Sequence, residues 1–213
     1  YTHRPNHATI PASTMKVVTT ATALELFGPD YQYQTKLEYD GSIDANGTLN
    51  GDLYIVGSGD PTLGSTKLGD PYFLNKWVKA VTDAGIKKIN GTIIADESCF
   101  DNEGANAKWT WDDIGNYYAP AIYGIASLDN TLRGTFKSGE VGTKPEIIKT
   151  SPTIEGLYID NSLNSSRIKF DSAYFYGSPR SLTRSVRGEI PANRPEFVVM
   201  AELPDPGLKL AQD

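Results

Sequence analysis

Over residues 12–27 the apolar positions recur with a helical spacing. Val17, Ala21 and Leu24 share one face, Val18 adjoins them, and Gly28-Pro29 supplies a stop. The rhythm then changes to alternation: Tyr31, Tyr33, Thr35, Leu37 and Tyr39 are spaced by polar residues, as on a half-buried strand. Asp40-Gly41 and Asn46-Gly47 mark turns, which predicts a hairpin or meander. The apolar run Leu53 to Val56, enclosed by Gly51 and Gly57, predicts a further strand that ends in the loop Gly57-Ser58-Gly59-Asp60-Pro61.

A second helix is predicted from Asp70, as cap, with Pro71 at its first position. Leu74, Trp77, Val78 and Val81 fall at i, i+3, i+4 and i+7, and Gly85 closes it. Residues 91–96 read as a strand, so 51–96 forms a strand, helix, strand unit. From about residue 120 onward the pattern is of short β-like segments split by Gly, Pro and Asn, with no long helical period. Phe197 to Ala201 is the last clear strand.

Composition narrows what such a chain can be. With 213 residues, 39% of them hydrophobic and 22% charged, it is long enough for one large or two small folded domains and is neither disordered nor a membrane span. Its 26 acidic and 20 basic residues are dispersed, giving a net charge of -6 with no basic block, which excludes nucleic acid as a natural partner. Cys99 is the single cysteine, so neither an intrachain disulfide nor a cysteine zinc site can form, and it is expected to be a small buried residue. The first residues lack a basic-then-apolar signal pattern, and an exported form would have lost its signal ahead of Tyr1.

Candidate chemistry sits at the head of the first helix. Ser13 and Lys16, in Pro11-Ala12-Ser13-Thr14-Met15-Lys16, are three residues apart and project from the same face. A serine hydroxyl needs a base to become a nucleophile. A lysine can serve if desolvation or nearby positive charge favours its free amine, so Lys16 is expected to be at least partly buried. The helix N-terminus favours the negative charge that develops during acyl transfer, and the Ser13 amide is a candidate oxyanion donor. Spacing alone is not specific, since Ser166-Arg167-Ile168-Lys169 repeats it in a region that reads as strand.

Longer segments add the specificity. Residues 11–31 resemble the nucleophile helix of penicillin-binding D-alanyl-D-alanine carboxypeptidases. Gly51-Asp52-Leu53-Tyr54-Ile55-Val56-Gly57-Ser58-Gly59-Asp60-Pro61-Thr62-Leu63 looks like the signature of the class C low-molecular-mass group, the penicillin-binding protein 4 type. Trp109 to Tyr118 and Pro204-Asp205-Pro206 match two further segments, in family order. The resemblance implies an α+β fold: part of a serine β-lactamase/DD-peptidase transpeptidase domain with long β-rich insertions. Residues 1–32 would belong to the transpeptidase domain, 33–200 to an inserted region of one or two subdomains, and 201–213 to the return. It implies a periplasmic or otherwise extracytoplasmic peptidoglycan carboxypeptidase and endopeptidase, acylated at Ser13 with Lys16 as base. Its partners would be peptidoglycan peptides and β-lactams, and it would need no cofactor and no metal. The family's Ser-x-Asn and Lys-Thr/Ser-Gly elements are expected beyond residue 213, and its opening strands before Tyr1. A non-catalytic peptidoglycan- or partner-binding module and a serine β-lactamase are the alternative readings.

The aromatic-acidic segment carries Trp109, Trp111, Asp112, Asp113, Tyr117 and Tyr118. It can be a binding lip or packing. By position in the family motif, Asp113 and Tyr118 are the candidates to meet the free amine of a peptidoglycan side chain. Adjacent carboxylates point apart on a helix or a strand, which does not suit paired acid/base work.

The remaining short patterns have plainer readings. Ser162-Leu163-Asn164 and Lys137-Ser138-Gly139 imitate the missing elements in reversed order and read as a polar turn and a hairpin tip. Gly57-Ser58-Gly59 reads as a structural turn, because Asp60-Pro61 follows where a phosphate loop needs a helix N-terminus. His3 and His7 are separated by Pro5, which disfavours a helical metal face.

Overall fold

The computed structural model describes residues 6–101 and 103–213, and its contacts divide the chain into two units that meet in sequence between Tyr33 and Gln34. In the first unit, Ala12–Thr14 forms one 3-10 turn that runs directly into α1, Met15–Phe27. The predicted helix is therefore a tight turn followed by an α-helix. Ala12 has a positive φ of 46°, and the Thr14 amide donates to the Pro11 carbonyl at 3.1 Å. Gly28 ends α1 with φ 78° and donates its amide to the Leu24 carbonyl at 2.9 Å. Apolar side chains are not confined to the face of Val17, Val18, Ala21 and Leu24: Met15, Ala23, Leu26 and Phe27 complete the circumference, and no residue of α1 is buried. Tyr31 and Tyr33 fall ahead of the strand expected to hold them. Their rings pack in series with Phe27, at 4.9 and 5.3 Å between centroids, in place of ladder pairing.

The second unit begins with β1 (Lys36–Tyr39), β2 (Ser42–Ile43), β3 (Thr48–Asn50) and β4 (Leu53–Val56), followed by α2 (Phe73–Asp83), β5 (Lys88–Asn90) and β6 (Ile93–Asp96). Strands order as β1-β4-β6, with β4 and β6 parallel across α2, which is the expected strand, helix, strand unit. A neighbouring sheet orders as β2-β3-β5. The two sheets are consecutive stretches of the same chain, broken at one level by glycine. A Cβ on Gly51 would stand 2.3 Å from the Asp40 carbonyl oxygen, and one on Gly91 would stand 2.1 Å from that of Gly51. Side-chain oxygens continue the ladder across the break: Asp40 Oδ1 accepts the Asp52 amide and Asp52 Oδ1 accepts the Thr92 amide, each at 2.7 Å.

Helix α2 begins two residues later than predicted. Asp70 Oδ1 accepts the Tyr72 amide at 2.8 Å, and Asp70 Oδ2 meets Lys76 Nζ at 2.5 Å, so Asp70 and Pro71 shape a turn ahead of the helix. Its end is as predicted. Gly85, at φ 91°, donates to Thr82 O and Ile86 donates to Val81 O, the paired bonds that close a helix through a left-handed glycine. Phe73 meets Trp77 edge to face at 5.1 Å and joins Ile55, Ile125 and Leu210 in a first core.

Next come β7 (Thr131–Lys137), β8 (Glu146–Ser151), β9 (Tyr158–Ser166), β10 (Tyr174–Tyr176), β11 (Thr183–Pro191), β12 (Phe197–Glu202) and α3 (Pro206–Gln212). β7 lies between β12 and β8, antiparallel to both, while β11 pairs antiparallel with β10 and parallel with β9. Phe136, Leu163, Phe175, Val186, Ile190 and Val199 anchor a second core. Arg184 and Glu202 are fully buried as a pair at 3.2 Å. Arg184 Nη1 also donates to the Ser178 and Ser181 carbonyls, and Glu202 Oε1 accepts the Ala121 amide at 2.6 Å. Burial raises the Glu202 pKa and lowers that of Arg184, so each depends on the other and on these backbone partners to stay charged.

Local detail departs from the sequence pattern at three places. Ser162-Leu163-Asn164 is the middle of β9, with Leu163 in the core, and not a turn. Lys137-Ser138-Gly139 leads from the end of β7 into its hairpin connection to β8, as expected, but is not an open tip. Ser138 is buried, its Oγ donating to Pro191 O at 2.6 Å and accepting the Arg194 amide at 2.9 Å. Helix α3 had no counterpart in the pattern. Asp205 caps it by accepting the Leu208 amide at 2.8 Å, Pro206 opens it, and Leu210 reaches the first core.

Candidate active site

Helix α1 brings the first two candidates together: Lys16 Nζ lies 3.0 Å from Ser13 Oγ. Ser13 occupies the 3-10 turn and Lys16 the first α-helical turn, so the tighter winding ahead of α1 sets their separation. The non-glycine Ala12 in the left-handed region directly precedes the serine, which fixes the backbone there at a cost of about 1–3 kcal/mol. Thr14 Oγ1 donates back to the Pro11 carbonyl, so the turn hydroxyls are committed differently: Thr14 to backbone, Ser13 to lysine. Both Ser13 and Lys16 are exposed, contrary to the expectation that Lys16 is partly buried, because no side chain of α1 is buried. The arrangement can move a proton between hydroxyl and amine, which is what acyl transfer to serine requires.

The second pair is built by the segment ahead of β7. The Asp113 amide donates to Thr110 O, and Thr110 Oγ1 donates to Asp113 Oδ2, both at 3.0 Å, which holds the carboxylate in a turn. Asn116 fastens that turn to the second core. It is buried, its Nδ2 donates to Asp112 O at 2.9 Å, and its Oδ1 accepts the Phe175 amide at 3.1 Å. The rings of Tyr117 and Tyr118 therefore project from a fixed base, perpendicular to one another at 5.5 Å. Asp113 and Tyr118 line one cavity of about 480 Å³ with Trp109, Pro120 and Ile122. Burial first, then the Asp113 charge beside it, raises the Tyr118 pKa, so its phenol stays protonated and polar toward that cavity. Asp112 is exposed.

Two contributors were not read from the sequence. Asn116, which positions the tyrosines, lay inside the recognised segment, but its partner Phe175 is 59 residues away. Arg180 joins Glu97 at 2.5 Å and Asp205 at 3.8 Å, with its guanidinium 4.4 Å above the Tyr123 ring. Burial raises the Glu97 pKa and the Arg180 contact opposes that shift.

Other motifs resolve simply. Gly57-Ser58-Gly59 is irregular chain ahead of a turn that starts at Pro61; the Gly124 carbonyl accepts the Gly59 amide at 2.7 Å, and Ser58 Oγ accepts the Gln34 amide. Cys99 is exposed and not buried, its Sγ 3.8 Å from Gly124 O, because the chain leaves β6 for the surface at that point. Among the described residues no three His, Cys, Asp or Glu side chains cluster as metal ligands, and His3 lies outside those residues. No described helix is long and apolar enough to cross a membrane.

A serine–lysine contact at the head of a helix thus stands on a chain of mixed α+β fold. The chain belongs to the D-Ala-D-Ala carboxypeptidase 3 (S13) family, whose model matches residues 1–209. It is 33% identical over 113 residues to the D-alanyl-D-alanine carboxypeptidase of Actinomadura sp. (strain R39), spanning 53% of this chain and 20% of that one. It is 36% identical over 105 residues to the D-alanyl-D-alanine carboxypeptidase DacB of Haemophilus influenzae, spanning 49% of this chain and 20% of that relative. Each curated relative is thus matched over a fifth of its length. The crystal structure of penicillin binding protein 4 (dacB) from Haemophilus influenzae shares the fold, with a TM-score of 0.76 at 21% identity, over 95% of this chain and 44% of that one. The same protein complexed with a novel β-lactam gives a TM-score of 0.62.

Proposed function

We propose that this chain contributes the nucleophile, its base and a substrate-recognition surface to a D-alanyl-D-alanine carboxypeptidase and endopeptidase of peptidoglycan, working outside the cytoplasm and in the periplasm where one exists. The 3.0 Å contact between Lys16 Nζ and Ser13 Oγ carries this reading. With Lys16 as the free amine, Ser13 Oγ attacks the carbonyl carbon of the penultimate D-alanine and its proton passes to Nζ. The terminal amine leaves with a proton returned from Lys16. Water then adds to the acyl carbon by the same relay and restores Ser13.

Asp113 and Tyr118 hold the cationic end of the substrate peptide, the carboxylate by charge and the protonated phenol by a hydrogen bond. Support comes from the cavity they share with Trp109, which pairs an apolar wall with one anionic group. Residues up to about 32 form part of the catalytic domain, and 33–200 are inserted into it. The boundary between Tyr33 and Gln34 supports this division, as does the apolar circumference of α1, a pattern that suits a helix enclosed on several sides.

Intact-protein mass spectrometry of the full-length protein after exposure to a penicillin tests the reading. One covalent adduct is expected, on the peptide containing Ser13. Ser13→Ala abolishes it, and Lys16→Ala slows it by about 10²–10⁴-fold. A folded sample that gains no adduct rejects the proposal.

A further inference from the structure

A second cavity, of about 410 Å³, shares Tyr118 with the first. Tyr117, Tyr118, Tyr174 and Asp171 line it together with Val198 and Met200. We propose that this cavity is a subsite for a neutral N-acetylated sugar strand, the glycan part of peptidoglycan. The inference rests on the peptidase reading and extends it from the peptide to the polymer that carries it.

Three tyrosine rings remain 49%, 51% and 44% exposed although their backbones are held by the Asn116 bonds and by the pairing of β10 with β11. Rigid, half-exposed aromatic rings are poor solvent surface and good stacking surface, because their faces attract the C–H edges of a pyranose ring. Tyr117 and Tyr118 stand perpendicular and make a corner for one sugar. Val198, exposed on the outer face of β12, and the partly buried Met200 offer an apolar seat for an acetamido methyl group. Asp171 is exposed and acceptor-only, suited to sugar hydroxyls. Among the described residues no lysine or arginine lines the cavity, so it does not match a phosphate-bearing polymer.

Position strengthens the assignment. The Tyr118 ring lines both cavities, one with Asp113 and one with Asp171. In peptidoglycan the stem peptide is bonded directly to an amino sugar, so peptide and sugar subsites that share one tyrosine match the connectivity of the polymer.

The test is titration of the full-length protein with a tetramer of β-1,4-linked N-acetylglucosamine, followed by calorimetry and by NMR of the tyrosine ring signals. Saturable binding is expected, with Tyr117 and Tyr174 signals perturbed. Tyr174→Ala and Asp171→Ala weaken it at least about tenfold, the scale of one lost aromatic contact or hydrogen bond. Tyr174→Phe retains it, because the stacking face is kept. Tyr158→Ala, on an exposed tyrosine outside the cavity, leaves it unchanged. Absence of saturable binding overturns the proposal, as does an equal loss in Tyr158→Ala. So does an outcome in which a sugar-free lysine-containing peptide perturbs Tyr174 and the tetramer does not. Penicillin acylation of Ser13 in the same sample separates the two failures: acylation without sugar binding rejects the glycan subsite alone.

Discussion

The second unit holds two cores built on different terms. Around β7 to β12, eleven apolar residues are buried, and the strands are long enough to enclose an arginine and a glutamate as well. Around β1 to β6, the core cluster among the described residues joins four, one of them delivered by α3 from the far end of the sequence, while Leu49, Leu53 and Ile86 are buried outside it. The lesson is one of self-sufficiency. Long strands close their own core, whereas short strands broken at glycine need α2 and α3 to complete theirs.

The largest test of that contrast is Arg184→Met, which strands the Glu202 carboxylate in the larger core. Unfolding by denaturant should show a loss of about 3–5 kcal/mol, most of it recovered by adding Glu202→Leu. A single-variant loss under about 1 kcal/mol would mean that the pair is not desolvated as described. Next in size is Leu210→Ala. It should cost about 2–3 kcal/mol, and hydrogen exchange should show β4 and β6 losing protection while β9 and β11 keep theirs. Equal loss in all four strands would erase the distinction between the cores.

The smallest effect concerns Asp70, at the head of α2. The Lys76 ammonium and the Tyr72 amide hold its carboxyl below its ordinary value of 3.8. A depressed folded-state pKa contributes stability that is present above the unfolded value and lost as pH falls through the folded one. Asp70→Asn should therefore flatten the acid limb of Tm against pH below about 4. A variant curve that parallels the parent there would remove this contact from the account.

Where the sequence was legible, the information was local. Ser13 and Lys16 are three residues apart and meet, Asp113 and Tyr118 are five apart and line one cavity, and the strand, helix, strand unit is punctuated at both ends, so these placements were short-range. Asp70 misled because its carboxylate serves a turn and a lysine before it can cap a helix. Helix α3 escaped notice because seven residues with two leucines show no period. Ser162 and Asn164 looked like a turn because both are exposed on either side of the buried Leu163, which is how an edge of a strand reads when few of its residues are apolar. Asn116 and Arg180 depend on partners 59 and 83 residues distant, a separation that no local pattern encodes.

Arg180 has a mechanical consequence. One guanidinium links Glu97 past the end of β6, Asp205 at the head of α3, and the turn leading into β11. Traction applied to α3 is passed through that joint to two sheets at once. A joint of a few contacts yields before the nine-residue register of β9 against β11 slips. Under load the second unit would thus shed α3, and with it Leu210, while the Tyr118 surface stays anchored through Asn116 to the strands that hold.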